Sequence, residues 1–167
     1  MPRFSSIWDV TPDTAHPRAR QLLGQSIIWN YGDEDSPLGN DIAADTFAAY
    51  LDFCATHPDG RIQEFIKGQL ILREIPDAHW NLLDAAHLEE TLNSASGFEL
   101  LTRDDFIIGL AFAQLLLKGI LDPVVRERAI TALRRQATDI VLSFRGGGGE
   151  EARKVQLAGF LRILELV

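Results

Sequence analysis

Apolar residues recur along this chain at intervals of three and four, and almost nowhere at every second position, so the pattern predicts helices and scarcely any strand. His16-Pro17 opens a first helix that runs to Leu23 and closes at Gly24. Residues 26–30, Ser-Ile-Ile-Trp-Asn, are the one stretch suited to extended chain. Residues 31–41 are crowded with turn formers and acids and read as an acidic loop. Asn40 then caps a second helix, with Asp41 at its positive end and Ala43, Phe47, Tyr50, Leu51 and Cys54 on its buried face. After the turn Pro58-Asp59-Gly60, a third helix carries Ile62, Phe65, Ile66 and Leu70 and stops before Pro76. Asp77 is placed to cap a fourth, with Trp80, Leu83, His87 and Thr91 along one side.

The second half is more strongly patterned. Thr102-Arg103-Asp104-Asp105 fits a capping box in which Asp replaces the usual Glu. The apolar helix that follows, residues 104–118, is expected at the centre of the fold, with Gly119 as its terminating glycine. Asp122-Pro123 restarts the chain into a helix reaching about Phe144 and burying Val125, Ile130, Leu133, Ala137, Ile140 and Val141. The glycine run 146–149 is a flexible break, and a last helix turns Val155, Ala158, Leu161 and Leu164 inward. The expectation is an all-α fold, a compact bundle of about seven helices, with residues 1–167 forming a single helical domain. No repeat of fixed period is evident.

Composition changes this picture little. Apolar residues make up 46% and charged residues 24% of the 167, ordinary values for a globular chain of one-domain size. The longest apolar run, residues 106–117, is about 12 residues long, whereas a membrane span needs about 20. Residues 1–10 lack an apolar core and carry Asp9, so a secretory signal is not expected. The single Cys54 allows no internal disulfide, which suits a cytoplasmic location.

Charge is more informative. The net charge of −8 disfavours nucleic acid and anionic membrane as partners. No Lys or Arg occurs between Arg20 and Arg61, and that gap holds Asp33, Glu34, Asp35, Asp41, Asp45, Asp52 and Asp59. Together with Trp29 and Asn40, the carboxylates at 33, 34, 35, 41 and 45 form a candidate binding surface for a protein partner or for self-association. Crowded oxygen ligands also suit a divalent cation, and Asp41 and Asp45, four apart, share a helix face. A solvated loop with Asn40 and Asp41 as caps is the plainer reading, and the spacing is not that of an EF-hand. Trp8 and Trp29 flank the first helix, either as part of that surface or as pins holding the N-terminal segment down.

Other chemistry is less well supported. His16, His57 and His79 read as helix-end residues, and the Asp-x-x-His pairs ending at His16 and His87 lack the inward glutamates of a di-iron bundle. Cys54 is expected as a small buried hydrophobe, with His57 one turn on as the only basic neighbour close in sequence. The glycine run lacks the Gly-Lys-[Ser/Thr] ending of a phosphate loop. Arg128 and Arg135, seven apart, share a face suited to solvent, to an acidic partner, or to pairing with the acidic half within or between chains. No motif specifies a cofactor or a catalytic residue.

One resemblance adds to this. His16-Pro17-Arg18-Ala19-Arg20, Trp29, the run from Glu34 through Asp41, and Ala44-Asp45-Thr46 resemble the N-terminal block of the YfeS-like family of uncharacterised bacterial proteins. Asp104-Asp105, Phe112-Ala113-Gln114 and the stretch from Gly119 to Pro123 are similar to that family's later helical block, so the likeness covers most of the chain. Some of these proteins are described as carrying a WGR domain; this chain has no Trp-Gly-Arg triplet, and nothing of that domain is carried over. The resemblance implies a bacterial origin and no reaction. The expected function is therefore a non-enzymatic helical interaction module, of adaptor or immunity type, in a bacterial cytosol. The alternative is a divalent-metal-binding protein or metal-dependent hydrolase using the carboxylates between Asp33 and Asp45.

Overall fold

The computed structural model describes residues 4–24, 26–146 and 148–167. Among them the fold is all-α, with eight helices and two single 3-10 turns (Ile7–Asp9 and Ile27–Trp29) and no strand. The helices are α1 (Pro17–Leu23), α2 (Asp41–Thr56), α3 (Ile62–Leu72), α4 (Ala85–Leu92), α5 (Ser96–Lys118), α6 (Pro123–Gln136), α7 (Asp139–Arg145) and α8 (Glu150–Glu165). The stretch considered for extended chain folds as the 3-10 turn Ile27–Trp29, with Ile28 buried and its neighbours half-buried.

The bundle is organised around α5. Every residue from Phe106 to Leu117 is buried, so this helix has no solvent face along most of its length. α2 and α6 pack on it most extensively, α8 lies against α6, and α1 and α4 cover its ends. The α2 crossing is close because Gly109 meets Ala43: a Cβ at 109 would stand 2.9 Å from the Ala43 Cα. Phe65 bridges α3 to both Tyr50 and Phe106, and Phe112 meets Phe160 edge-on at 5.8 Å. A smaller cluster of Leu88, Leu92, Leu100 and Val141 joins α4 and α7 to the start of α5.

Four expectations are corrected. The central helix starts at Ser96, not near 104, and Thr102 to Asp105 lie inside it. The Thr102-x-x-Asp105 pattern fits a cap, but Asp105 accepts from Gln136 on α6 and Arg145 on α7, partners that local spacing does not reveal. The predicted fourth helix does not begin at Asp77. Residues 77–84 are non-helical, and α4 starts after Asp84, whose carboxylate accepts from the His87 N–H. Arginine side chains donate to the carbonyls of His79, Trp80 and Leu82, and of these only the His79 carbonyl also accepts a backbone N–H, that of Leu82, in a single turn. The helix expected through Phe144 divides at Ala137 and Thr138, where extended Thr138 caps α7. Finally, α8 buries Leu157, Phe160 and Leu164 and leaves Val155 and Ala158 exposed. Its apolar positions are ambiguous in sequence, and the bulk of Phe160 reaching Phe112 decides the face.

Candidate functional site

The acidic loop is built from short-range hydrogen bonds. Asp33 Oδ1 accepts from the Asp35 N–H at 2.9 Å, an Asx turn, and Asn40 Oδ1 accepts from the Ala43 N–H at 2.9 Å as the cap of α2. Asp35 is tied across the molecule to α8, with Arg153 Nη1 3.2 Å from its Oδ1. Burial lowers the pKa of Arg153, and Asp35 is the first charge to oppose that. Trp29 is half-buried and donates its indole N–H to the Gly24 carbonyl at 2.9 Å. It acts as a pin.

Three of the predicted carboxylates therefore remain for a partner: Glu34, Asp41 and Asp45, all exposed. Asp52 extends the row. Residues 41, 45, 48 and 52 of α2 follow the spacing of one helix face, all four are exposed, and the three acids have no cation within ion-pair distance among the described residues. An exposed aromatic on an element that packs on α2 is Trp8, which the sequence did not distinguish from Trp29. It is 67% exposed, stands edge-on to Tyr31 at 5.9 Å, and belongs to the turn Ile7–Asp9 that packs on α2. Among the described residues no group of three or more His, Cys, Asp or Glu side chains stands where it would hold a metal ion.

The basic half is used differently from what its spacing suggested. Arg135 is fully buried and grips Asp104 through two bonds of 2.8 Å, Nε to Oδ2 and Nη2 to Oδ1. Burial pushes the Asp104 carboxyl up, against the pull of Arg135 and Arg103. Arg103 donates to the His79 carbonyl, and burial lowers its pKa to about 10, which still leaves it charged at neutral pH. The guanidinium groups of Arg103, at 5.0 Å, and of Arg128, at 4.1 Å, both stand over the Trp80 ring. The face shared by Arg128 and Arg135 is thus covered by residues 77–82 of the same chain.

The histidines serve the fold. His16 Nδ1 accepts from the Arg18 N–H at the start of α1, His57 stacks on Phe53, and His87 Nδ1 lies 2.9 Å from Asp84. Cys54 is half-buried, and its basic neighbour is Lys118, not His57. Lys118 ends α5 with its Nζ 5.2 Å from the Tyr50 ring centroid, on the wall of a cleft of about 440 Å³. Sequence reasoning missed this grouping because α2 and α5 bring together residues more than sixty positions apart. Among the described residues no helix is long and apolar enough to cross a membrane. No family model, curated protein or solved structure matches the chain.

Proposed function

We propose that this chain is a non-enzymatic protein-interaction module, of adaptor or immunity type, that docks a basic partner on the surface formed by Trp8, Glu34, Asp41, Asp45 and Asp52. The observation that carries this reading is the partition of charge. Arg135, Arg145, Arg153 and Lys154 each pair with an acid of the same molecule, whereas the α2 row has no such partner among the described residues. Unpaired charges on α2, and an exposed indole on the turn packed against that helix, supply what a partner's cations and apolar contacts require: steering from the acids and an anchor from the ring. The resemblance to the YfeS-like family adds a bacterial setting to this proposal and no reaction.

The test is co-purification from a bacterial host of the wild type and of an Asp41→Asn, Asp45→Asn, Asp52→Asn chain, after matching melting curves have shown that both fold. A protein recovered in near-stoichiometric amount with the wild type, and lost with the triple variant or at raised salt, supports the reading. Equal recovery with both chains, or none with either, rejects it.

A further inference from the structure

The cleft beside Lys118 lies between the C-terminal half of α2, the first turn of α3 and the connection from α5 to α6. Its volume of about 440 Å³ falls within the range of small-molecule sites, roughly 300–1,000 Å³. Tyr50, Phe53, Ile62, Ile120 and Leu121 supply the apolar part of a lining that is otherwise polar.

Its polar groups include several donors without a carboxylate partner, beside one carboxylate, Asp122. α3 enters the cleft at its N-terminus, and Arg61 provides no side-chain cap, so the N–H groups of Ile62 and Gln63 have no partner among the described residues. The positive end of the helix dipole is added to those two N–H groups. Independently, Gln114 lines the cleft while only 4% exposed. Its Oε1 accepts from the Asp122 N–H at 2.9 Å, which fixes the orientation of the amide, and its Nε2 has no partner among the described residues. Lys118 adds a cation with no carboxylate within ion-pair distance. Of the acids close by, Asp122 on the lining accepts from the N–H groups of Val124 and Val125 through Oδ1, and Glu64 accepts from Arg61.

The Gln114 amide donor, two open helix N–H groups and an ammonium, beside aromatic and aliphatic side chains, complement one charged oxygen group on an apolar body. We propose that this cleft binds a small organic carboxylate, with its charged end among Lys118, the Gln114 amide and the first turn of α3, and its apolar part against Phe53, Ile62 and Leu121. This site is separate from the acidic docking surface and does not depend on it.

Octanoate is the probe, followed by amide chemical shifts in the ¹⁵N-labelled chain, with octanol and inorganic phosphate as comparisons. Octanoate should shift the backbone amides of Ile62 and Gln63 and the side-chain amide of Gln114 in one saturable process. Octanol, which lacks the charge, should bind about tenfold more weakly or worse. Lys118→Met should weaken octanoate by a similar factor, and so should Ile120→Asp, which sets a carboxylate at the rim on a side chain already 58% exposed. Absence of saturable shifts at these amides up to about 10 mM, tenfold above a weak 1 mM ligand, overturns the proposal. So does octanoate affinity unchanged in both folded variants, or phosphate binding as tightly as octanoate.

Discussion

Asp104 and Arg135 meet with neither side chain exposed to solvent, and such a pair is asymmetric in its energetics. Its formation offsets two large desolvation terms and adds little net stability, but removing one partner leaves the other charge buried and alone. Asp104→Ala should therefore cost about 3–5 kcal/mol. At about 2–4 °C per kcal/mol for a domain near this size, the melting midpoint should fall by roughly 6–20 °C. The double change Asp104→Leu, Arg135→Met should recover a substantial part of that loss, because no lone charge remains. A double variant as unstable as the sum of the two singles would show instead that the bonds from Arg135 to the carbonyls of Trp80 and Leu82 dominate. The neighbouring Asp105 shows why the sequence misled at this point. Thr102-x-x-Asp105 before an apolar run has the form of a capping box, and only contacts 31 and 40 residues away, with Gln136 and Arg145, give that aspartate another role.

Among the elements, caps made by near neighbours were legible in the sequence. His16 and Pro17, Asn40, Gly119, and Asp122 with Pro123 stand where the pattern placed them. The failures lie where a distant partner decides: the early start of α5, the unwound segment before α4, and the buried face of α8. Of the candidate surface, the exposed acids of α2 were legible, whereas the role of Trp29 as a pin depends on the Gly24 carbonyl and that of Asp35 on Arg153. Gly119 offers a sharp test at this scale. Its φ is +65°, and an added Cβ would stand 2.0 Å from Nδ1 of His16, the cap of α1. Gly119→Ala should cost about 1–2 kcal/mol from backbone strain alone, with a further loss as His16 is displaced. Amide signals of α1 should broaden before those of α2; equal behaviour of the two helices would argue that α1 does not depend on this contact. α4 gives a test in acid. The His87 N–H holds the Asp84 carboxyl below its usual pKa, so the cap contribution is complete above the ordinary aspartate pKa of about 3.9 and is lost as pH falls through the lowered value. Backbone shifts of α4 should follow that titration and should not do so in Asp84→Ala.

At the scale of the whole molecule, charge is divided between inside and outside. Arg126 donates to the carbonyls of Leu164 and Glu165 at the end of α8, Arg153 holds the acidic loop, and Arg145 holds Asp105. The acids left outward on α2 should then govern long-range behaviour, with any association through them weakening as salt shortens the screening length from about 10 Å at 0.1 M. Melting curves in EDTA and in Mg²⁺ or Ca²⁺ should coincide. A selective rise that Asp41→Ala removes would favour the metal-binding alternative over the docking surface. The segment 77–84 carries a consequence of another kind. It has no ladder of its own, yet its carbonyls at 79, 80 and 82 are held by guanidinium groups rooted in α5 and α6. It should resist protease for as long as those helices stay together, and in an Arg135→Met chain it should become the first point of cleavage.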